Sequence, residues 1–221
     1  MMKASFIVPD CIEVLTELYR DHSIVVVNKP AGLLSVPGKP PNDRDSVLSR
    51  LQHINEETRV AHRLDMSTSG LMVFALNVSS HRSLSIQFQN REIQKEYIAD
   101  VWGILANTEG SIDLPLRCDW PNRPKQMVDF KHGKPSLTHF SALEIKGDNI
   151  QRVLLKPVTG RSHQLRVHMA EIGHPIIGCE FYANSQARDA SHRLHLHASY
   201  LSFVHPVTLE KLTFENPVSF D

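Results

Sequence analysis

The sequence predicts an α+β protein whose strands form a mostly antiparallel sheet. Residues 24–27 and 71–76 are apolar at every position, which is typical of strands that are buried on both faces. Helical patterns are interspersed with the strand patterns, but they do not follow the strict alternation of a parallel βαβ sheet. The chain has 221 residues, of which 41% are hydrophobic and 22% charged, so we expect a globular protein of one to two compact units.

The predicted elements follow in chain order. Strand patterns occupy residues 24–27, 71–76, 97–101, 137–145, 152–156 and 196–214, the last interrupted by Pro206. Helical patterns occupy residues 47–54, 80–90 and 162–172. Asp45 or Ser46 is the expected N-cap of the first helix, and Ser162 that of the third. Residues 115–135 are rich in proline and basic residues without periodicity, which indicates a long loop or a β-hairpin insertion.

Composition excludes several classes of protein. Lys+Arg and Asp+Glu both number 24, so the chain is not a uniformly basic nucleic-acid binder, although a local basic groove is compatible with this balance. No apolar run approaches the ~18 residues of a membrane span, and the N-terminus lacks a signal-peptide pattern. Cys11, Cys118 and Cys179 are too few and too far apart for a disulfide framework or a zinc ribbon. We therefore expect a soluble cytoplasmic protein with no membrane partner.

A polar loop before the second buried strand holds the first candidate site. Arg63 and Asp65 lie in residues 62–70, HRLDMSTSG, which open directly onto the apolar run at 71–76. Loops at the edge of a sheet commonly carry functional side chains. From spacing alone, a salt bridge between Arg63 and Asp65 inside the loop explains the pattern equally well.

A second candidate lies in a basic segment with no acidic partner. Residues 151–170 contain four Lys/Arg, among them Arg161 and Arg166, and no Asp or Glu. The Gly-Arg-Ser sequence at 160–162 precedes a helical pattern, and a helix N-terminus binds phosphate well because its N–H groups and dipole point outward. The alternative is a basic helix face in solvent, although such faces usually mix both signs of charge.

The third candidate is the predicted loop or hairpin. Residues 117–134 contain five basic and two acidic residues, and Arg123 and Lys125 lie between Trp120 and Phe130. Basic and aromatic side chains together suit an RNA backbone with unstacked bases. An ordinary surface loop is the alternative. The pair His195 and His197 has a spacing known from metal ligands, but no third ligand of the HExxH kind is near it, so we expect no metal.

Several blocks of the sequence, taken in order, resemble the RluA-type pseudouridine synthases. They are VVNKPAGLLSVPG at 26–38, HRLDMSTSGL at 62–71, KEY at 95–97, GRSHQLRVH at 160–168, GHPIIG at 173–178 and LHA at 196–198. The similarity runs from about residue 13 to the last residue. One departure is Cys179, because members of the family usually have Asp after this glycine.

The resemblance implies a fold and a domain organisation. The expected fold is that of a pseudouridine synthase, with a mixed, mainly antiparallel sheet, a central catalytic cleft, flanking helices and two linked halves. It assigns residues 1–12 to an N-terminal arm and residues 13–221 to the catalytic domain, with no S4 RNA-binding domain. We also expect a monomer.

The resemblance further implies a reaction and its residues. The N-glycosidic bond of an RNA uridine is cleaved and the uracil is rejoined to the ribose through C5, with no cofactor. Asp65 is the nucleophile or the base, Arg166 faces it and keeps it ionised, and Tyr97 stacks on the flipped uracil. Arg63 takes the place of that uracil in the RNA. Arg161, Lys29, Arg123 and Lys125 complete the expected RNA-binding set, with Lys29 also supporting the floor of the site.

The resemblance to the short, dual-specificity members of the family implies two substrates. These are a uridine in the tRNA anticodon stem-loop, at position thirty-two, and a uridine in a 23S rRNA stem-loop. Two alternatives stay open: a pseudouridine synthase for a different rRNA or tRNA uridine, and a non-catalytic RNA-binding module on the same fold. A hydrolase using a metal at His195 and His197 is the least favoured hypothesis.

Overall fold

The computed structural model describes residues 11–38, 45–218 and 220. Most of the predicted N-terminal arm, residues 1–10, lies outside the described residues. The chain divides into two compact units, the first formed by the described part of Met1–Ile93 with Phe203–Leu212, and the second by Gln94–Ser202 with the described part of Thr213–Asp221. The assignment of residues 13–221 to one catalytic domain remains a prediction.

The first unit is built on antiparallel strands in the order β1–β2–β4, with β3 also paired to β4. Their bounds are β1 (Thr16–Arg20), β2 (Ile24–Lys29), β3 (Arg59–Val60) and β4 (Ser69–Ala75). All of β4 is buried, as its apolar sequence predicts. Lys29 is in register with Gly70, so the end of β2 lies beside the start of β4 and the polar loop that precedes it.

Two helices accompany these strands. Helix α1 (Val47–Gln52) begins at Ser46, whose hydroxyl accepts from the Ser49 N–H while the Ser49 hydroxyl accepts from the Ser46 N–H, so two otherwise unsatisfied donors are paired. Helix α2 (Val78–Asn90) packs on β4 and buries Leu84. The first helix is shorter than its predicted span of 47–54, and Ile54 is exposed.

The second unit contains a larger antiparallel sheet in the order β11–β5–β10–β9–β6. The strands are β5 (Gln94–Trp102), β6 (Glu109–Asp113), β9 (Leu137–Gly147), β10 (Ile150–Pro157), β11 (Leu196–Val204) and, paired with β11, β12 (Lys211–Glu215). The last two residues of β11 and the first two of β12 are counted with the first unit. Its core includes Ala99, Val101, Val153, Leu155, Leu165 and Met169. The two strand patterns at 137–145 and 152–156 are therefore confirmed, and both strands are longer than predicted.

The remaining elements of the second unit flank this sheet. Residues 115–135 form a β-hairpin rather than a loop, with β7 (Leu116–Cys118), a 3₁₀ helix (Trp120–Asn122) and β8 (Gln126–Val128). Helix α3 (Gln164–Glu171) packs against β8, and α4 (Ser185–Asp189) follows it. Strands interspersed with a few helices confirm the predicted α+β class. Among the described residues, no helix is both long and apolar enough to span a membrane.

The predicted cap of α3 is wrong. The helix begins after His163, not after Ser162, and His163 has a left-handed backbone with φ of 53°. The His163 side chain makes no capping hydrogen bond. Gln164 instead stabilises the turn before the helix, because its Oε1 accepts from the Arg161 N–H at 3.0 Å and from the Thr159 hydroxyl at 2.8 Å. A residue-type preference for serine at N-caps does not determine which residue adopts the N-cap position.

Candidate active site

The loop that carries Asp65 is held on both sides by buried polar groups. The Ser35 hydroxyl donates to the Leu64 carbonyl at 2.7 Å and accepts from the Leu64 N–H at 3.1 Å, so the residue before Asp65 has both backbone groups satisfied by one side chain. Asp65 itself begins a turn in which its carbonyl accepts from the Thr68 N–H at 3.1 Å. Its side chain is half-buried at the head of β4. The carboxylate therefore lies on a rigid loop, as a precisely positioned reactive group requires.

Lys29 holds the other side of the same loop. Its ammonium donates to three backbone carbonyls, those of Pro30 at 2.8 Å, Leu33 at 2.8 Å and Met66 at 2.9 Å. The side chain has no solvent exposure, and an ammonium has three donors, so these carbonyls use its full donor capacity. The assignment of Lys29 to RNA binding is therefore wrong, because an enclosed ammonium cannot reach a phosphate. Its expected support of the site floor agrees with these contacts.

Arg63 is an exposed residue of the Asp65 loop. Among the residues that the structure describes, it forms no ion pair with Asp65. The alternative explanation of the pattern, a salt bridge inside the loop, is therefore wrong. The insertion of Arg63 into RNA remains a prediction.

Tyr97 lies in the middle of β5 in the second unit. Its backbone is in register with Leu155 of β10 and Ala198 of β11, and its ring packs against the hydrophobic core. Lys95 is two residues earlier and so shares a face of the strand with Tyr97. Burial lowers the pKa of Lys95, since the charged ammonium loses hydration there. The Lys95 ammonium also lies close to Gly160, where an added Cβ would be 3.7 Å away.

Arg166 is enclosed by the segment that follows Gly178. The arginine is buried in α3, and its Nε donates to the Cys179 Sγ at 3.4 Å. The guanidinium carbon lies 5.1 Å from the centre of the Phe181 ring and 5.5 Å from that of Tyr182, both within the range of cation–π attraction. Gly178 is required here, because its φ is +69° and an added Cβ would lie 1.8 Å from the Arg193 carbonyl oxygen.

Other residues of α3 attach the helix to the sheet. Gln164 Nε2 donates to the Leu137 carbonyl and to the Thr138 hydroxyl, both at 3.0 Å. One turn later, the buried His168 ring contacts the same hydroxyl through Nδ1 at 3.0 Å and the Leu114 carbonyl through Nε2 at 3.0 Å. These bonds determine the helix orientation and therefore that of Arg166. Arg161 lies just before the helix and donates to the Pro135 carbonyl at 3.3 Å.

The hairpin presents Arg123 and Trp120 to solvent. The Arg123 guanidinium lies 4.5 Å from the centre of the Trp120 ring, and both side chains are exposed. Hydrogen bonds from the His132 N–H, the Arg117 side chain and the Lys131 N–H lower the pKa of Asp129 to about 2. Arg117 is thus paired within the hairpin, whereas Arg123 and the half-buried Lys125 occupy the tip.

The two histidines of β11 take part in a buried polar network. His195 Nδ1 lies 3.0 Å from the Asp100 carboxylate, which also accepts from Arg152 Nε at 2.8 Å, and His195 Nε2 lies 2.9 Å from the Ser191 hydroxyl. His197 Nε2 lies 3.1 Å from the Asn216 carbonyl. Within residues 11–38, 45–218 and 220, no three His, Cys, Asp or Glu side chains are grouped as a metal site would require.

Sequence reasoning missed three side chains that determine this geometry: Ser35, Phe181 and Tyr182. Ser35 lies in the first block of the resemblance and could be suspected only as a small polar residue between apolar ones. The aromatic pair begins three residues after Gly178, the last residue of the GHPIIG block, which was a usable signal. Within the first unit the structure brings Lys29 to the Asp65 loop. Within the second it brings Gln126, next to the tip of the Arg123 hairpin, to Tyr182 beside Arg166.

The comparison with known families now identifies the class of protein. The family model described as RNA pseudouridylate synthase matches residues 23–171, which include the Asp65 loop, Tyr97 and Arg166. Human RNA Pseudouridylate Synthase Domain Containing 1 has a similar solved structure, with a TM-score of 0.79 and 33% identity over 96% of this chain and 86% of that one. The solved structure of Human RNA Pseudouridylate Synthase Domain Containing 4 is also similar, with a TM-score of 0.71 and 25% identity over 91% of this chain and 88% of that one. The chain belongs to the RNA pseudouridylate synthase family.

Curated relatives are more similar still. Dual-specificity RNA pseudouridine synthase RluA of Escherichia coli (strain K12) is 52% identical over 206 residues, or 93% of this chain and 94% of that one. The protein of the same name from Yersinia pestis is 53% identical over 189 residues, which cover 86% and 92% of the two chains. That of Pasteurella multocida is 52% identical over 202 residues, covering 91% and 92%. The fold and the reaction class predicted from the sequence are therefore confirmed.

Proposed function

We propose that this chain converts uridine to pseudouridine in structured RNA, with Asp65 as the essential carboxylate. The observation that carries the proposal is the rigid loop of Asp65 within a chain of this family. Ser35 and Lys29 hold the residues on either side of Asp65, so the carboxylate needs no rearrangement to react. The C1′–N1 bond breaks, a C1′–C5 bond forms, the C5 proton leaves and N1 gains a proton, so the reaction needs no cofactor.

Asp65 can act in either of two chemical mechanisms. The carboxylate either attacks C1′ or removes a proton from C2′, and both require it to be ionised. We propose that Arg166 faces Asp65 and favours that ionised form. Tyr97 then stacks on the flipped uracil, and its phenolic oxygen accepts the C5 proton as its own proton passes to solvent. This assignment rests on the match of Asp65, Tyr97 and Arg166 to the family blocks.

RNA binding follows from the exposed basic side chains. The target uridine must leave its stack, at a cost of a few kcal/mol, and Arg63 is proposed to occupy its place. Arg123 and Lys125 at the hairpin tip and Arg161 before α3 contact the phosphate backbone. Exposure of Arg63 and Arg123 supports these roles, and Lys29 is removed from the set because it is buried.

We further propose that the chain modifies two RNAs, a tRNA anticodon stem-loop at position thirty-two and a 23S rRNA stem-loop. Support comes from relatives about half identical over nearly their whole length and named as dual-specificity enzymes. Loops are the sites where bases can be splayed out at low cost, so a locally reading enzyme can accept two loops of similar shape. The enzyme is proposed to act as a monomer in the cytoplasm, where both RNAs function, and sedimentation can test its size.

Tritium release tests these proposals directly. Stem-loops and full-length transcripts of both RNAs carry uridine with tritium at C5, and isomerisation releases this label to water. Both minimal stem-loops should react at rates within about tenfold of the full-length RNAs. If one minimal loop is inert while its full-length RNA reacts, local recognition is wrong. If only one RNA class reacts in any form, dual specificity is wrong, and if neither reacts the chain is a different synthase or a binding module.

A further inference from the structure

Tyr182 contacts both the candidate catalytic arginine and the RNA-binding hairpin. Its ring lies 5.5 Å from the Arg166 guanidinium, and its hydroxyl accepts a hydrogen bond from the Gln126 N–H at 2.8 Å. Gln126 begins β8, directly after Lys125. The Tyr182 side chain therefore connects Gln126, next to the hairpin tip, to Arg166, which is expected to face Asp65.

The hydroxyl of Tyr182 has a second partner at the start of α3. It lies 2.6 Å from Nδ1 of His163, the residue that immediately precedes the helix. A phenol has one proton to donate, and the backbone N–H can only donate, so the hydroxyl accepts from Gln126 and can donate to a neutral His163. Phe181 stacks on the same imidazole, with ring centres 5.7 Å apart. The hairpin is thus connected to Arg166 both through the Tyr182 ring and through the helix start.

Hydrogen bonds join the residues of the hairpin tip to one another. The Asp119 N–H donates to the Lys125 carbonyl at 2.9 Å, the Asn122 N–H to the Asp119 carbonyl at 3.0 Å, and the Lys125 N–H to the Asn122 carbonyl at 3.0 Å. The Asn122 side chain also donates to the Asp119 carboxylate at 2.9 Å. A phosphate bound at Arg123 or Lys125 therefore acts on a hydrogen-bonded unit that ends at Gln126.

We propose that Tyr182 is a positioning residue that couples RNA binding at the hairpin to the orientation of Arg166. The proposal rests on the proposed function, because it takes Arg123 as an RNA contact and Arg166 as part of the active site. RNA bound at the hairpin sets the Gln126 backbone, Tyr182 follows it through its hydroxyl, and its ring holds the guanidinium. Catalysis then depends on correct docking of the RNA as well as on its affinity.

A double-mutant cycle tests the coupling. Single-turnover rates at saturating enzyme and equilibrium Kd values are measured on one stem-loop for wild type, Tyr182→Phe, Arg123→Ala and the double variant. Tyr182→Phe removes only the hydroxyl, and we expect its rate to fall about tenfold while Kd changes less than about threefold. Arg123→Ala should lower the saturated rate in the wild-type background and have little further effect on the rate in the Tyr182→Phe background. Its effect on Kd should be the same in both backgrounds.

Phe181→Leu is the matched control. Phe181 lies beside Arg166 and His163 as Tyr182 does, but its ring has no hydroxyl to join the hairpin. The fold loss in rate caused by Phe181→Leu should multiply with the fold loss caused by Arg123→Ala, because the two residues are not coupled. Multiplicative losses for Tyr182→Phe with Arg123→Ala, or an unchanged rate in Tyr182→Phe, would overturn the proposal. A wild-type enzyme that releases no tritium from any RNA would instead overturn the proposed function, and the positioning role with it.

Amide hydrogen exchange gives a second test that does not depend on the folding of Tyr182→Phe. The Asp65→Asn variant retains every group of the coupling and should bind the stem-loop without turnover. We expect the Gln126 amide to exchange several-fold more slowly when RNA is bound. Equal exchange of this amide with and without RNA would contradict the coupling.

Discussion

The Lys29 ammonium donates a hydrogen bond of 2.9 Å to the carbonyl of Met66, the residue directly after Asp65. Its other two donors are bonded to the Pro30 and Leu33 carbonyls, so one buried cation joins the turn after β2 to the candidate catalytic loop. Ser35 completes the arrangement from the other side through Leu64. Residues of the first sequence block, 26–38, thus hold the backbone of the second block, 62–71, in place.

Lys29→Met should both destabilise the protein and slow the reaction. The substitution leaves the buried Pro30 and Leu33 carbonyls without this donor, and each unsatisfied polar group costs ~1–3 kcal/mol. The Met66 carbonyl keeps a hydrogen bond of 2.9 Å from the Gly32 N–H. Urea unfolding should show a loss of roughly 3 kcal/mol or more, and tritium release should fall because the Asp65 loop loses one attachment. Lys146→Met, which alters a surface ion pair with Glu144, is the matched control and should change stability by less than ~1 kcal/mol. A Lys29→Met protein of normal stability and rate would refute the supporting role.

Asp65→Asn should abolish turnover and leave RNA binding within about tenfold of wild type. The amide is isosteric and removes no phosphate contact, but it can neither attack C1′ nor remove a proton. Tritium release and filter binding on the same stem-loop measure the two effects separately. Asp189→Asn, at an exposed ion pair with Arg188, is the matched control. Appreciable turnover by a clean Asp65→Asn preparation would remove this residue from the mechanism.

Arg123→Ala should weaken RNA binding in a salt-dependent way. A side chain that contacts one phosphate releases about one counterion, so the slope of log K against log salt should become shallower by about one. Binding is measured between about 50 and 200 mM salt, where phosphate contacts are expected to dominate the salt dependence of the affinity. Arg188→Ala, an exposed arginine on α4, should keep the wild-type slope. An unchanged slope for Arg123→Ala would show that Arg123 does not contact the backbone.

Stability should decline as the pH falls from about 6.5 to about 4. Burial lowers the pKa of His197 from 6.5 to about 4, so between these values the unfolded chain binds a proton that the folded chain does not. The stabilisation is therefore complete above pH 6.5 and lost on acidification, by roughly 3 kcal/mol at most. Burial lowers the pKa of His168 as well, which adds in the same direction.

His197→Gln tests this dependence, because glutamine retains a donor for the Asn216 carbonyl but does not titrate. Urea unfolding at several pH values should give a flatter profile for this variant than for wild type. His53→Gln, at an exposed histidine, is the matched control. Identical profiles for wild type and His197→Gln would contradict the assignment.

Local patterns predicted much of the fold. Ser46 caps α1 as expected, β4 is buried throughout, and the Pro-rich basic segment is a hairpin, one of the two forms anticipated. The short strands β1, β3 and β6 and helix α4 were not predicted, because two to five residues carry too little periodicity to be distinguished from loops. The family blocks, in order, identified the reaction class and pointed to Asp65.

The sequence by itself therefore determined the α+β class, the family and the residue types of the site, since these follow from periodicity and from motifs that are continuous in the chain. Only the tertiary structure decided that Lys29 is a buried support rather than an RNA contact, that His163 rather than Ser162 precedes α3, and that Tyr182 joins the hairpin to Arg166. The physical reason is that a polar side chain takes its role from the partners that satisfy it when buried. Met66 is 37 residues from Lys29 and Gln126 is 56 from Tyr182, and no local pattern encodes such a partner.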